Sequence, residues 1–370
     1  MTKGELPIKS ICRIIEIRNF KTFNYLRIDN LSQINIIYGR NNVGKTALLE
    51  AIYIGLSNIS PEGVLSLLRG FPISQNPQED SFNLLFHNFN YKEEISIRLE
   101  FNNKILLETI IGKPFLSKNV VIKAKNLEER ISSNSLYIKW ELKWSENESD
   151  ILESIINFQN ILDSGQLIGQ KPIPIPTVLS AGNLNAEIKP EFYFTTSGKI
   201  LPDFHVRTYG ELVRKGLKTQ FLEALRTIEG NIEDIDVIHF AGVPCIGIKV
   251  GGKYFPVDTM GEGFYRIFSI IQKFVEKQNG ILLIDEIENG IYWEVQGKFW
   301  RYLEEFATKF NVQIFATTHS YEFLKNAINN VSNPEIISGI KIKRTEEGFE
   351  AVVLKGEELF DMLRENYEVR

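Results

Sequence analysis

The segment GRNNVGKT, near the start of the chain, has the residue types and spacing of a phosphate-binding loop. It fits the pattern G-x-x-x-x-G-K-[ST], in which backbone N–H groups surround a phosphate at the start of a helix. The lysine of this pattern reaches the β- and γ-phosphates, and the following hydroxyl binds Mg²⁺. The residues are Gly39, Arg40, Asn41, Asn42, Val43, Gly44, Lys45 and Thr46. They predict a site for a nucleoside triphosphate with Mg²⁺.

A second group of candidate residues is the carboxylate cluster in ILLIDEIENGIY, at 281–292. Its four leading apolar residues predict a buried parallel strand, and ligands bind beyond the carboxyl ends of such strands. Asp285 is expected to face the Mg²⁺ beside Thr46, and Glu286 to orient or deprotonate the attacking water. Glu288 lies too far along the chain from Asp285 to bind the same metal ion. We expect it in a turn that meets another subunit, with a local structural role equally open.

Two further segments carry candidate residues. The predicted strand in NVQIFATTHS is followed by His319, which is placed to contact the γ-phosphate and sense hydrolysis. Gly261 and Gly263 open a helix with an apolar face, upstream of the carboxylate strand. At that place the glycine pair is expected to cap the nucleotide of a facing protomer.

These residues have to be positioned by strands and helices. Three strands are predicted before the phosphate loop, the last of them leading into it, and a helix is predicted directly after it. The last third of the chain alternates strands with helices, as an α/β domain does. Residues 92–145 contain alternating segments typical of half-buried antiparallel strands. We predict a short helix at 150–162 and an amphipathic helix around 210–228. No heptad pattern is sustained, which excludes a long coiled coil.

Composition excludes several classes of protein. The chain has 370 residues and is 43% hydrophobic, enough for a substantial core. No apolar run approaches the roughly 18 to 20 residues of a membrane span, and no secretory signal is recognised, so we expect a cytoplasmic protein. Two cysteines and four scattered histidines argue against a disulfide framework or a zinc site. The net charge of -5 argues against a globally basic nucleic-acid binder, although it leaves room for a local basic groove.

The combination of motifs resembles the ABC-type ATPases of the SMC, RecF and OLD group, and within it the OLD-like ATPases. The resemblance covers most of the chain, in the segments IRNFKTFNYLRI, INIIYGRNNVGKTALLEAIY, MGEGFYR, ILLIDEIENGIY, NVQIFATTHS and FEAVVLKGEELFDMLRENYEVR. It implies an α/β fold: an ABC-type P-loop ATPase head with a mixed sheet, an antiparallel β-rich lobe, a helical signature lobe and no long coiled coil. One head is expected over 1–370, with an N-terminal part at 1–91, an insertion at 92–205 and a C-terminal part at 206–370.

The resemblance also implies roles for individual residues. The chain is expected to be an ATPase that uses ATP and Mg²⁺, with Thr46 and Asp285 as metal ligands. Lys45, Glu286 and His319 are expected to be catalytic. Nucleotide contacts are expected from the phosphate loop and from two further segments. The nucleoside segment is Asn19, Phe20 and Lys21, and the signature segment contributes Thr259, Gly261, Glu262 and Gly263.

The chain departs from the family pattern in four places. The common signature has a serine before two glycines, whereas this chain has TMGEG. Tyr292 stands where many relatives have a histidine. The glutamine that links ATP to the lobes is either Gln75 or Gln78. Full OLD proteins continue into a nuclease domain, and from the short segment after His319 we expect none here.

The function implied is an ATP-gated switch in which two heads enclose two ATP molecules. The expected partners are a second copy in a homodimer or higher oligomer, a separately encoded nuclease or toxin effector, and DNA or a phage protein as trigger, without a membrane. Relatives of this kind occur in bacterial anti-phage systems, so we expect the switch to act in anti-phage defence. The alternative is a RecF-like ATP-dependent DNA clamp in repair, with a basic groove on the closed dimer. A transporter subunit is disfavoured by the long strand-rich stretch at 92–195.

Overall fold

The computed structural model describes most of the chain. The described residues are 11–56, 83–102, 105–112, 135–143, 145, 149–157, 176–181, 192–195, 202–276, 279–346 and 348–364. Gln75 and Gln78, the candidates for the linking glutamine, lie outside them.

The chain forms two compact units whose segments interleave. The first unit comprises the described residues of Met1–Leu31, Arg40–Lys189 and Lys341–Val353. The second comprises those of Ser32–Gly39, Pro190–Ile340 and Leu354–Arg370. The division of one head into three consecutive parts stays a prediction.

The strands are β1 (Cys12–Phe20), β2 (Phe23–Ile28), β3 (Ile34–Tyr38), β4 (Ile95–Phe101), β5 (Leu106–Gly112), β6 (Ser135–Lys143), β7 (Ser149–Asn157), β8 (Pro176–Ala181), β9 (Phe192–Thr195), β10 (Asp234–Phe240), β11 (Val243–Val250), β12 (Lys253–Pro256), β13 (Ile281–Ile284), β14 (Gln313–Thr317), β15 (Ile337–Thr345) and β16 (Gly348–Lys355). The α-helices are α1 (Lys45–Leu56), α2 (Pro202–Arg214), α3 (Lys218–Ile228), α4 (Glu262–Glu276), α5 (Trp293–Lys309), α6 (Tyr321–Asn330) and α7 (Gly356–Arg364).

The first unit is built on an antiparallel sheet in the order β2-β1-β4-β5-β6-β7-β8. In β4 every second residue is buried, from Ile95 to Phe101, which is the alternation of a sheet with one face on the core. Helix α1 is held to this sheet, in part because the indole of Trp140 donates a hydrogen bond of 3.2 Å to the carbonyl of Gly55. The predicted β-rich lobe is therefore present.

The helix predicted at 150–162 is wrong, because Ser149–Asn157 is strand β7. This strand pairs antiparallel with β6 on one side and with β8 on the other. A short apolar run cannot be assigned to helix or strand by periodicity alone. Here the two neighbouring strands decide, and the β-branched residues Ile151, Ile155 and Ile156 suit a strand.

The second unit is built on a parallel sheet. β9, β13, β14 and β3 lie side by side in that order and pair in parallel, and β15 is the next strand beyond β3. β3, β13 and β14 are buried along their whole length, as expected for parallel strands covered on both faces. The core of this unit includes Phe268, Trp300 and Phe323, from α4, α5 and α6.

The single helix predicted around 210–228 is two helices, α2 and α3. Gly216 has a φ of 71°, and its N–H donates a hydrogen bond of 2.9 Å to the carbonyl of Val213. A left-handed glycine of this kind ends a helix. The apolar residues of this segment therefore belong to two helix faces.

A buried histidine joins α2 to α4. His205 is 2% exposed, with Nδ1 2.6 Å from Oε1 of Gln272 and Nε2 2.7 Å from the hydroxyl of Tyr265. Burial lowers the pKa of His205, against the raising effect of the hydrogen bond with Gln272. The neutral imidazole therefore belongs to the packing between these helices.

The described helices are short. The longest among the described residues, α5, has 17 residues, and this part of the chain contains no long coiled coil, as predicted. A helix long and apolar enough to cross a membrane is also missing from the described part of the chain.

Candidate functional site

The phosphate loop lies between β3 and α1, the context that its motif requires. Its backbone has positive φ at Gly39 (139°), Gly44 (94°) and Asn42 (62°). Glycine adopts such angles at little cost, and asparagine adopts them more readily than most other residues. The residue types of the motif therefore match the conformation of the loop.

Within the first unit, Gly44 is packed too closely for any side chain. A Cβ here would lie 2.4 Å from Cγ2 of Thr22 and 2.6 Å from Cζ of Phe23. Lys45 is 5% exposed, and its Nζ donates a hydrogen bond of 3.0 Å to the carbonyl of Arg40. The ammonium is thus held at the loop itself, beside the start of α1, where backbone N–H groups favour an anion.

The other loop residues differ in exposure. Arg40, Asn41 and Asn42 are exposed, Val43 is buried, and Gly39, Gly44 and Thr46 are intermediate. A ligand at the loop would therefore meet backbone and polar groups, with Val43 serving the core.

The predicted nucleoside segment ends β1 in the same unit as α1. Nζ of Lys21 forms an ion pair of 2.7 Å with Glu50 of α1. Nδ2 of Asn19 donates hydrogen bonds of 2.9 and 2.8 Å to backbone carbonyls of residues 90 and 93. Phe20 is fully buried and belongs to the core. The segment is therefore fixed against the helix that follows the phosphate loop.

A cavity of about 350 Å³ opens beside this segment, within the first unit. Lys21 and Thr22 line it, together with His87, Arg344 and Phe349. Nδ1 of His87 lies 3.0 Å from the carbonyl oxygen of Lys21. Since Thr22 also packs against Gly44, the cavity borders residues that contact the phosphate loop.

In the second unit, the carboxylates directly follow β13. Asp285 and Glu286 are both partly exposed. Glu286 has a φ of 49°, a left-handed conformation that is uncommon for a residue other than glycine. The side chain of Asn289 donates a hydrogen bond to Oε2 of Glu286. The turn thus presents two successive carboxylates in one fixed backbone conformation.

Thr317, the last residue of β14, fixes this turn. Its hydroxyl donates a hydrogen bond of 2.6 Å to Oδ1 of Asp285 and accepts one of 2.7 Å from the N–H of Glu286. Thr317 is 1% exposed, and hydrogen bonds are electrostatically stronger in such surroundings than in water. No role for Thr317 follows from the motifs recognised in the sequence. Its available signal was a hydroxyl at the end of the strand before His319.

His319 lies close to Glu286. Its Nε2 is 4.0 Å from Oε1 of Glu286, and the two side chains are 44% and 42% exposed. The N–H of His319 donates a hydrogen bond of 2.7 Å to Oε1 of Glu288. The structure therefore brings together two predicted site residues and adds Glu288, which holds the backbone of the histidine.

The signature residues lie before and at the start of α4: Thr259, Gly261, Glu262 and Gly263. The hydroxyl of Thr259 donates a hydrogen bond of 2.7 Å to the carbonyl of Pro256, so it serves the local turn. Gly261 has a φ of 93°. A Cβ on Gly263 would lie 2.2 Å from the carbonyl oxygen of Gly290. The start of α4 therefore packs directly on the carboxylate turn.

Arg266 of α4 is a further residue at this turn that the sequence analysis missed. Its Nη2 donates hydrogen bonds of 2.9 Å to the carbonyl of Asp285 and 2.6 Å to that of Glu286. Burial lowers the pKa of Arg266, against the raising effect of the carboxylates of Glu288, Glu286 and Asp285. A guanidinium remains charged in proteins. The sequence feature that could have indicated this residue is an arginine one helical turn after Gly263.

These features of the second unit meet at one edge of the parallel sheet. β13, β14 and β3 are neighbours, with Ile284 opposite Ala316 and Thr317 opposite Ile37. Gly39, the first residue of the phosphate loop, directly follows β3 at the same edge. Ligands bind beyond the carboxyl ends of strands in such sheets. The start of the phosphate loop and the carboxylate turn thus share the edge that suits a ligand.

Two stretches of the chain, residues 11–174 and 178–324, match the protein family described as AAA ATPase domain. These stretches contain the phosphate loop, the carboxylate turn and His319.

Three curated relatives resemble the chain. The ATP/GTP phosphatase of Helicobacter pylori is 24% identical, over 84% of this chain and 86% of that protein. Endonuclease GajA of Bacillus cereus is 25% identical, over 92% of this chain and 62% of that protein. The DNA replication and repair protein RecF of Lachnospira eligens is 22% identical, over 63% of each.

A solved structure shares the fold. The crystal structure of the SMC head bound to the C-winged helix domain of ScpA superposes with a TM-score of 0.50 and 15% identity, over 95% of this chain and 99% of that chain. At this identity the likeness concerns the fold alone. It confirms the predicted α/β head.

Proposed function

Because the chain belongs to the AAA ATPase domain family, we propose that it is an ATP-driven switch that forms a homodimer around nucleotide. That the chain is an ATPase follows from the family, and the switch is our proposal. One observation carries it: a single hydroxyl, that of Thr317, holds Asp285 and the backbone of Glu286. Such a turn can keep a metal ligand and a general base at a fixed separation.

In this proposal the phosphate loop holds the phosphates of ATP. Lys45 contacts the β- and γ-phosphates, and Thr46 and Asp285 are the protein ligands of Mg²⁺. The residues fit this cofactor, because Asp285 offers carboxylate oxygens at a strand end, the ligand type that Mg²⁺ prefers. When bound, the ion neutralises negative charge on the phosphates. Asn19, Phe20 and Lys21 lie near the nucleoside in this proposal, and Lys21 lines the cavity of the first unit.

Glu286 orients and deprotonates the attacking water in this proposal. Its side chain is partly exposed, so water can reach it, while its backbone is held by Thr317. His319, 4.0 Å from Glu286, contacts the γ-phosphate and responds to its loss. A base held in place by its backbone acts on water without first having to be ordered.

The signature segment, from Thr259 to Gly263, contacts the nucleotide of a facing protomer. Two copies of the chain then enclose two ATP molecules in the cytoplasm. Nucleotide can act on a partner only if that partner binds the open and closed forms with different affinity.

We propose that this partner is a separately encoded nuclease or toxin effector in anti-phage defence, with DNA or a phage protein as the trigger. The likeness to GajA supports this, since that endonuclease matches 92% of this chain.

The dimer is tested by light scattering of the Glu286→Gln protein with and without Mg-ATP. This change removes the base and leaves the metal ligand in place, so ATP stays bound. The measured mass is expected to double with ATP. It should not double when Gly261→Trp is added, because no atom of the described residues, its chain neighbours aside, lies within 4 Å of a Cβ at Gly261, and a large side chain there would block a facing protomer. Gly242→Trp is the matched control, since this glycine also has positive φ and open space.

A monomer mass at saturating ATP would contradict the dimer. A constant dimer mass with and without ATP would restrict the switch to a change of shape within a permanent complex.

The second candidate function is an ATP-dependent DNA clamp, which the likeness to RecF favours. It predicts that Mg-ATP strengthens binding to a fluorescent DNA junction and that salt weakens this binding steeply. Fluorescence anisotropy at two salt concentrations tests this candidate, because the clamp requires ATP-dependent binding to DNA, whereas a switch triggered by a phage protein does not.

A further inference from the structure

From these contacts we infer that Arg266 and Glu288 are positioning residues that link helix α4 to the carboxylate turn and to His319. The inference rests on the proposed function of Glu286 and His319. It concerns contacts within the second unit of one chain.

Arg266 holds the near end of the turn. Its Nη2 contacts the carbonyl oxygens of both Asp285 and Glu286, at 2.9 and 2.6 Å. Among the described residues, Arg266 donates hydrogen bonds to these backbone groups, and its Nε is buried without a hydrogen-bond partner. An arginine that contacts backbone carbonyls fixes the path of the chain. It does so where Glu286 adopts a left-handed conformation.

The start of α4 contacts the far end of the same turn. A Cβ atom on Gly263 would lie only 2.2 Å from the carbonyl oxygen of Gly290. The two backbones are therefore in close contact. Gly263 and Arg266 are three residues apart, so they lie on one face of the helix. One helix face thus touches the turn at both ends, and a displacement of that face has to move the turn.

Glu288 extends this link to His319. Its Oε1 accepts the hydrogen bond from the N–H of His319, at 2.7 Å, and its Oε2 is buried without a hydrogen-bond partner in the described part of the chain. A carboxylate that accepts a hydrogen bond from a backbone N–H fixes the backbone of that residue, and with it the point from which its side chain extends. Glu288 therefore sets the position of His319 relative to the turn.

Because of these contacts, the signature segment and the carboxylate turn have to move together. Gly261 lies directly before α4, and Gly263 lies on the helix face that carries Arg266. Whatever ligand engages the signature of one chain therefore acts on Glu286 and His319 of that same chain. The contacts within α4 and the turn are the physical route for this coupling.

The test compares Arg266→Met, Arg266→Lys and the exposed control Arg301→Met in steady-state ATP hydrolysis. Loss of a hydrogen bond from a charged group corresponds to a rate change of about tenfold or more. Arg266→Met is therefore expected to lower kcat at least about tenfold with KM within about threefold, and Arg266→Lys to recover part of the loss. Arg301→Met should match the wild type, because Arg301 is exposed and contacts Asn330 only at 3.3 Å. Unchanged kcat in folded Arg266→Met would overturn the inference for Arg266.

The Glu288 pair keeps the test decisive if Arg266→Met does not fold. Glu288→Gln retains an oxygen that can accept the N–H of His319, whereas Glu288→Leu does not. We expect kcat of Glu288→Gln to stay within about threefold of wild type and that of Glu288→Leu to fall about tenfold. Equal losses in both would mean that charge, and not position, is the role of Glu288.

The outcome also separates this inference from the proposed function. If hydrolysis does not depend on Glu286, the proposed function fails. If it depends on Glu286 but not on Arg266 or Glu288, only the positioning inference fails.

Discussion

Replacing Thr317 by valine removes the hydroxyl that holds the carboxylate turn. Valine has almost the same shape, so the change leaves no cavity, and its effect is that of two lost hydrogen bonds. One of these reaches the carboxylate of Asp285 at 2.6 Å, and the other comes from the N–H of Glu286 at 2.7 Å. Both are made by a side chain that is 1% exposed.

The magnitude follows from these two contacts. A hydrogen bond to a charged group contributes about 1.5 to 3 kcal/mol and a neutral one about 0.5 to 1.5 kcal/mol. The free energy of unfolding of the variant should therefore fall by about 2 to 4.5 kcal/mol. Because the metal ligand and the base both lose their support, kcat is expected to fall at least about tenfold.

The matched control is Thr317→Ser. Serine keeps the hydroxyl and loses one buried methyl group, at a cost of about 1 kcal/mol. The assays are urea unfolding followed by tryptophan fluorescence and steady-state phosphate release under saturating Mg-ATP. Serine is expected to keep kcat within about threefold of wild type, whereas valine is not.

Similar kcat values for the two variants would refute the reasoning. They would mean that the hydroxyl of Thr317 does not set the positions of Asp285 and Glu286. A valine variant as stable as wild type would contradict the stability part in the same way.

Three further changes have defined outcomes. Gly44→Ala is expected to lower the affinity for ATP at least about tenfold, as measured by equilibrium titration, because its Cβ would lie 2.4 Å from Thr22. An unchanged affinity would contradict the close packing of the loop. Gly263→Ala should lower kcat and the melting temperature together, because its Cβ would meet the carbonyl of Gly290 at 2.2 Å, and a wild-type melting curve would count against that contact. His205→Asn tests the lowered pKa of the buried histidine. The unfolded chain binds a proton below about pH 6.5 that the folded chain resists, so wild-type stability is present above that pH and falls by up to about 1.4 kcal/mol per pH unit below it. Urea unfolding at pH 7.5 and 5.5 should give a smaller pH dependence for the variant, and equal slopes would contradict the assignment.

Much of the fold could be predicted from local patterns. The resemblance to the SMC, RecF and OLD group is confirmed by the family match and the relatives. The strand-loop-helix around Lys45 and the buried strand before Asp285 were predictable because motif spacing and apolar runs are local properties. The strand β7 was not, because its state depends on strands on both sides.

The contacts of the positioning residues could not be predicted for a related reason. Thr317, Arg266 and Glu288 act through contacts with residues 19 to 32 positions away in sequence. A single sequence does not reveal such pairs. By contrast, Glu286 and His319 follow buried strands, a position where ligands are generally bound.

The most direct test of the central claim is phosphate release by the wild type and by Glu286→Gln, with ATP binding measured on the same samples. We predict that Glu286→Gln binds Mg-ATP with a Kd within about threefold of wild type, while its hydrolysis rate is at least about hundredfold lower. Hydrolysis at the wild-type rate by Glu286→Gln would contradict the account, because the base would then have to be another residue.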